Sequence, residues 1–107
     1  MRRAKPSKYR NVCTTVDNYT FASKREAKRY GELKLRLMAQ SISVLQLQPR
    51  YQLIVKGVKI GTYVADFRYL ERDGTEIVED VKGVRTSTYR LKANLMKALY
   101  GITIKET

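Results

Sequence analysis

Asp66, Asp80 and Lys82 are the residues of this 107-residue chain whose types and spacing suit chemistry. They lie in the stretch V-A-D-F-R-Y-L-E-R-D-G-T-E-I-V-E-D-V-K-G, from Val64 to Gly83. At its centre, Asp73-Gly74 is a tight-turn dipeptide between two runs rich in Val, Ile, Phe and Tyr, the pattern of a β-hairpin. Side chains alternate faces along a strand, so Val78, Asp80 and Lys82 share one face and Ile77, Glu79 and Val81 the other. With Asp66 on the paired strand, two carboxylates and one ammonium gather in a small volume. Hard oxygen donors of this kind suit Mg²⁺. A lysine beside them can activate water or stabilise a developing negative charge. An isolated D-x-K also fits a salt-bridged hairpin tip, and taken alone that plain reading is the stronger. The rest of the chain shifts the balance.

The elements around this hairpin are legible from caps and breakers. Residues 13–21 read as a short strand, a turn at Asp17-Asn18 and a second extended piece. Ser23 to Glu26 forms a capping box that opens a helix running to about Ala39. Tyr30, Leu33 and Leu37 make its apolar stripe, and one turn back lies Glu26. Two roles stay open for Glu26: a helix cap, or a third carboxylate at the edge of the buried face. The opposite face carries Lys24, Arg25, Lys28, Lys34 and Arg36. Ser43 to Leu47 lead into a strand from Gln48 to Val55, with Pro49 near its start where a missing N–H is tolerated. Lys56-Gly57 is a turn. Lys59 to Leu70 is a second strand with a bulge expected at Gly61, and Glu76 to Val81 is the third. Thr86, Ser87 and Thr88 supply caps for a helix from Tyr89 to Tyr100, with Leu91, Leu95 and Ala98 inward and Gly101 as its C-terminal cap. Ile102-Thr103-Ile104 reads as the last strand. The expectation is an α/β layered domain spanning residues 11–107 behind a basic flexible arm at 1–10, its final strand reaching the sheet by a helical crossover.

Composition narrows the function. Lys and Arg number 22 against 10 acids, giving a net charge of +12 and a pI near 10, which favours a polyanionic partner such as nucleic acid. There is no histidine and a single cysteine, Cys13. His-based catalysis, zinc fingers and intramolecular disulfides are therefore excluded, and the lone cysteine indicates a reducing compartment. No apolar run has transmembrane length, and the basic N-terminus lacks the apolar segment of a signal peptide, so a cytoplasmic protein without a membrane partner is expected.

A helix bearing a glutamate, an antiparallel meander with Asp on one strand and D-x-K on the next, then a helix and a strand resembles the PD-(D/E)xK (restriction-endonuclease-like) nuclease core. Its order is α-β-β-β-α-β, a mixed sheet flanked by helices. More narrowly, T-F-A-S-K-R-E-A-K-R-Y, L-Q-P-R-Y, G-T-Y-V-A-D-F-R-Y and V-E-D-V-K-G resemble a small uncharacterised phage and prophage family assigned to that superfamily. The resemblance covers nearly the whole chain from about Lys8. It implies that Asp66 and Asp80 hold the metal, that Lys82 is the catalytic lysine, and that Glu26 matches a helix-borne acid found in several branches, including archaeal-type Holliday-junction resolvases. Ala65 stands where the motif's proline would be, and the second acid is Asp rather than Glu.

The implied function is a Mg²⁺-dependent DNA endonuclease, with Mn²⁺ as a substitute, phage or prophage encoded and working in a bacterial cytoplasm on duplex or branched DNA. A chain this short invites structure-selective cutting as a homodimer. The competing reading is a non-catalytic nucleic-acid-binding protein that keeps the nuclease fold. Arg2, Arg3, Lys5 and Lys8 in the arm, and Arg85, Arg90, Lys92 and Lys97 after the D-x-K, are the expected phosphate contacts. Gln48 is a further candidate at the mouth of the site. Glu79 faces away from the site, and because a buried unpaired carboxylate is costly it is expected to meet a basic residue or lie near a sheet edge.

Overall fold

A computed structural model describes residues 14–82 and 84–107. The basic arm, Cys13 and Gly83 lie outside the described residues. The chain is mixed α/β with two helices, and it divides into two compact units, Met1–Ser41 and Ile42–Thr107.

In the first unit, β1 (Thr14–Val16) and β2 (Tyr19–Phe21) pair antiparallel around Asp17-Asn18. Both turn residues have positive φ, 51° and 66°, as a two-residue type I′ turn demands and as Asp and Asn tolerate. Helix α1 (Lys24–Met38) begins where the Ser23 hydroxyl accepts the Glu26 amide at 3.1 Å. That is the N-cap half of the expected capping box. The helix buries Glu26, Ala27, Tyr30 and Leu33 and exposes Lys24, Arg25 and Lys28. Tyr30 ties helix to hairpin: its ring lies 5.1 Å from Phe21 and 6.0 Å from Tyr19, and its hydroxyl donates to Asp17 at 2.8 Å. Burial, then that carboxylate, pushes the phenol up to about 12, so it stays a donor at ordinary pH.

The second unit contains β3 (Ile42–Leu47), β4 (Arg50–Val55), β5 (Val58–Val64), β6 (Phe67–Glu71), β7 (Glu76–Asp80), α2 (Ser87–Tyr100) and β8 (Lys105–Glu106). One sheet has the order β3-β6-β7-β8, antiparallel except for the β7–β8 pair, which is parallel and joined through α2. β4 and β5 form a separate antiparallel ladder. Two backbone bonds link the ladders: the Gln48 amide to the Asp66 carbonyl at 3.0 Å, and the Ala65 amide to the Pro49 carbonyl at 3.1 Å. β3–β4 and β5–β6 are thus one ribbon, kinked at Gln48-Pro49 and at Ala65-Asp66. Pro49 fixes its own φ and lacks a donor, and Gln48 sits at φ 54°.

The expected single strand from Lys59 to Leu70 is therefore two, and Ile42–Leu47 is a strand in its own right. Nothing at residues 65–66 announces the break; the partner strand imposes it. The bulge falls beside Gly61, where the register passes from Leu53↔Gly61 to Ile54↔Lys59 and skips Ile60.

Leu53, Tyr63, Ala65, Val78, Tyr89 and Met96 form the core of this unit, with Tyr51, Ala93, Leu95, Ile102 and Ile104 packed at its margin. Burying a side chain such as Leu53 or Met96 contributes about 1.5–3 kcal/mol. Helix α2 thus turns Tyr89, Ala93 and Met96 inward, whereas Leu91, expected there, is 56% exposed, and Ala98 is exposed too. Both stripes have helical spacing, and the larger payload of Tyr89 and Met96 decides between them. Gly101 caps the helix at φ 67°, its amide bonded to the Lys97 carbonyl at 3.0 Å. Ile102 and Ile104 then lie against the core without pairing, so the last strand starts at Lys105 rather than Ile102. Among the described residues, no helix is long and apolar enough to cross a membrane.

Candidate active site

Asp66 occupies the ribbon kink, and its amide donates to the Glu79 carbonyl at 3.1 Å. From there its side chain reaches past the end of β7, where Oδ2 accepts the Val81 amide at 2.7 Å. Asp80 closes β7 on the face it shares with Val78. The residue is 4% exposed, and its carboxylate Oδ2 accepts the Tyr63 hydroxyl at 2.5 Å and lies 3.4 Å from Lys82 Nζ. Two-residue alternation thus delivers Asp80 and Lys82 to one side, as expected, and the kink brings Asp66 to them.

The electrostatics follow from that crowding. Asp80 is pushed up from 3.8 to about 6, first by burial and then by a hydrogen bond and like charge from Asp66. These outweigh the Tyr63 hydroxyl and the Lys82 ammonium, which pull it down. Tyr63 is itself held well above the usual phenol range by burial and by its bond to Asp80, so it remains a neutral donor. Two carboxylates this close ionise together only at a cost, and Asp80 carries it as a raised pKa.

Glu79 shows the opposite arrangement. It is fully buried on a strand that lies between β6 and β8, so it is not at a sheet edge. Its carboxylate takes hydrogen bonds from the Tyr69 hydroxyl at 2.7 Å and the Thr107 hydroxyl at 3.1 Å. Two hydroxyl donors thus meet this buried carboxylate, one on each oxygen, and offset part of its desolvation cost.

Beyond the acids, Lys82 Nζ lies 4.2 Å from the centre of the Tyr89 ring. The Tyr89 hydroxyl donates to Glu106 Oε2 at 2.8 Å, and Arg85 pairs with Glu106 Oε1 at 2.5 Å. Arg85, one of the expected phosphate contacts, is thus already in an ion pair. Arg90 and Lys97 are exposed on α2, and Lys92 is half-buried, its Cε lying over Gly61. The arm residues Arg2, Arg3, Lys5 and Lys8 lie outside the described residues. Gln48 faces Asp66 across the kink through its amide. Glu26 is buried on α1 in the other unit.

Tyr63, Tyr89 and Glu106 belong to the site and escape sequence reasoning because they come from β5, α2 and β8, far apart in the chain. One signal was available for Glu106: once β8 is parallel to β7, Asp80 and Glu106 are register partners and share a face. Among the described residues, no group of three or more acids, cysteines or histidines collects into a metal site. Asp66 and Asp80 are the two acids that interact directly here.

A mixed α/β chain with a buried Asp80, a half-buried Asp66 beside it and an adjacent lysine at the end of a hairpin defines the class at the level of architecture. The chain belongs to the family described as a protein of unknown function, DUF1064, which matches residues 6–106. No curated protein and no solved structure matches it.

Proposed function

We propose that this chain is a divalent-metal-dependent endonuclease of the PD-(D/E)xK kind that hydrolyses phosphodiester bonds in DNA. The observation that carries the reading is the convergence of Asp66, Asp80 and Lys82, with Asp80 pushed up to about 6 by burial and by Asp66. Mg²⁺ commonly takes only one or two protein carboxylates and keeps several waters, so Asp66 and Asp80 fit it without a third acid, and Mn²⁺ suits the same oxygen donors. Bound there, the cation would polarise the phosphate and make its water more acidic.

The chain's own residues do the rest. The Val81 amide orients Asp66 and the Tyr63 hydroxyl orients Asp80, so both carboxylates meet the cation with little reorganisation. Lys82 presents its ammonium beside Asp80, where it can orient the attacking water or stabilise charge building on the phosphate. The exposed Arg90 and Lys97 and the net charge of +12 draw the polyanion in.

The test is incubation of the purified chain with branched, linear duplex and single-stranded DNA in Mg²⁺, Mn²⁺ or EDTA. Cleavage in either metal and none in EDTA is expected. Absence of cutting on every substrate in both metals overturns the proposal, and binding without cutting would favour the competing reading of a non-catalytic nucleic-acid-binding protein.

A further inference from the structure

The contacts of Lys82 go beyond what a D-x-K motif requires. Its ammonium stands 4.2 Å from the centre of the Tyr89 ring and 3.4 Å from Asp80 Oδ2. A lysine side chain has four rotatable bonds and a compact charge that alone would sample many positions. The ring is not free to move either. Tyr89 is buried in the second unit's core, with its ring 6.4 Å from that of Tyr63. Its amide donates to the Thr86 hydroxyl that caps α2, at 3.1 Å. Its hydroxyl donates to Glu106, the β8 register partner of Asp80, and Arg85 holds the other oxygen of that carboxylate. A cation over the face of a fixed aromatic ring is attracted to the ring's quadrupole.

We infer that Tyr89 is a positioning residue for Lys82: its ring, fixed by Glu106 and Arg85, holds the ammonium beside Asp80. The inference rests on the nuclease reading for its catalytic consequence, but the clamp itself is a property of the metal-free chain. It assigns work to Tyr89, Glu106 and Arg85 that neither the motif nor the family description provides. It also moves Arg85 from substrate contact to scaffold.

Removing the ring would open a hole in the core, so the test keeps its shape and changes its electrostatics. Tyr89→Phe, followed by phenylalanines at position 89 carrying one, two and three ring fluorines, weakens the negative ring face stepwise at nearly constant volume. Two quantities are read on each protein. The first is the NMR shift of the Lys82 ε-methylene protons without metal or DNA, which a ring in contact moves upfield. The second is kcat and KM for cleavage in Mg²⁺. The proposal expects an upfield-shifted Lys82 in the wild type, a smaller shift in Tyr89→Phe, which loses the hydroxyl anchor to Glu106, and a further drift toward the free-lysine position as fluorines are added. With that drift, kcat should fall in total by about 10- to 100-fold, the cost of a small misplacement of a reacting group, while KM stays level. A Lys82 signal at the free-lysine position in the wild type overturns the clamp. A kcat that stays flat along the series while the Lys82 signal drifts overturns its catalytic role. A wild type that shows the shifted Lys82 yet cuts no DNA in either metal overturns the nuclease reading and the catalytic half of this proposal, and leaves the clamp standing.

Discussion

Glu79 and Asp80 are adjacent on one strand, both acids and both buried, at 0% and 4% exposure. Their surroundings are opposite. Glu79 receives two hydroxyl donors, from Tyr69 and Thr107, and is a satisfied structural carboxylate. Asp80 receives one hydroxyl, but it also faces a second carboxylate and an ammonium, and it holds a proton at pH values where an ordinary aspartate has lost it. Burial therefore does not mark a functional acid. The difference lies in whether the surroundings satisfy the charge or oppose it, and an opposed charge makes Asp80 the candidate for the proposed chemistry.

The sharpest way to separate the two faces is to remove each charge and follow cleavage. Asp80→Asn and Lys82→Ala should each lower the cleavage rate by at least about 10²-fold, the scale of losing a group that stabilises the transition state. Glu79→Gln should cut at nearly the wild-type rate once folded. Equal losses for Glu79→Gln and Asp80→Asn in a gel-based cleavage assay would erase the distinction.

Stability should run the other way. Because Asp80 binds its proton more tightly in the folded chain, it supports the metal-free fold fully below pH 3.8, and that support is lost as pH rises through about 6. The loss is about 3 kcal/mol by pH 8. Asp80→Asn should recover much of it in urea unfolding at pH 8, gain little at pH 4, and make the metal-free protein more stable than wild type. A variant less stable than wild type at pH 8 would contradict the opposed-charge account.

Glu79→Gln offers a smaller and opposite change. An amide can accept from only one of the two hydroxyls and brings a donor neither needs, so a loss of about 1–3 kcal/mol is expected in the same unfolding series. A gain would show that Glu79, too, is a strained charge.

The smallest effect is expected at Glu26. As an N-cap partner, Glu26→Gln keeps a side-chain acceptor, so stability should change by less than about 1 kcal/mol, with the metal concentration for half-maximal cleavage unchanged. A clear shift in that concentration would return Glu26 to the metal site.

How much of this could be read in advance depended on how local each signal was. Two-residue alternation placed Asp80 with Lys82 and set Glu79 apart, and Ser23, Asp17-Asn18, Gly74 and Gly101 mark their cap and turns by residue type alone. Where the chain answered to partners distant in sequence, local reading failed. The break at Ala65-Asp66 is imposed by Gln48-Pro49 on the facing strand. Leu91 and Ala98 looked like the inner face of α2 because aliphatic residues outweigh tyrosine in a pattern, yet Tyr89 and Met96, with Leu95 at the margin, are the ones packed in the core. Ile102 and Ile104 alternate like a strand although they only lean on the core. The Thr107 partner of Glu79, and the Tyr89–Glu106–Arg85 group, depend on β8 joining β7 in parallel, which no single stretch of residues encodes.

The central claim is that the Asp66–Asp80 pair binds a divalent cation and its buried neighbour Glu79 does not. The most direct measurement is titration of Mn²⁺ into the metal-free protein at pH 8, followed by calorimetry and by the electron paramagnetic resonance of free Mn²⁺, for wild type, Glu79→Gln and Asp80→Asn. The account predicts saturable binding in wild type, the same binding in folded Glu79→Gln, and its loss in Asp80→Asn. Undiminished binding in Asp80→Asn, or none in the wild type, would contradict it.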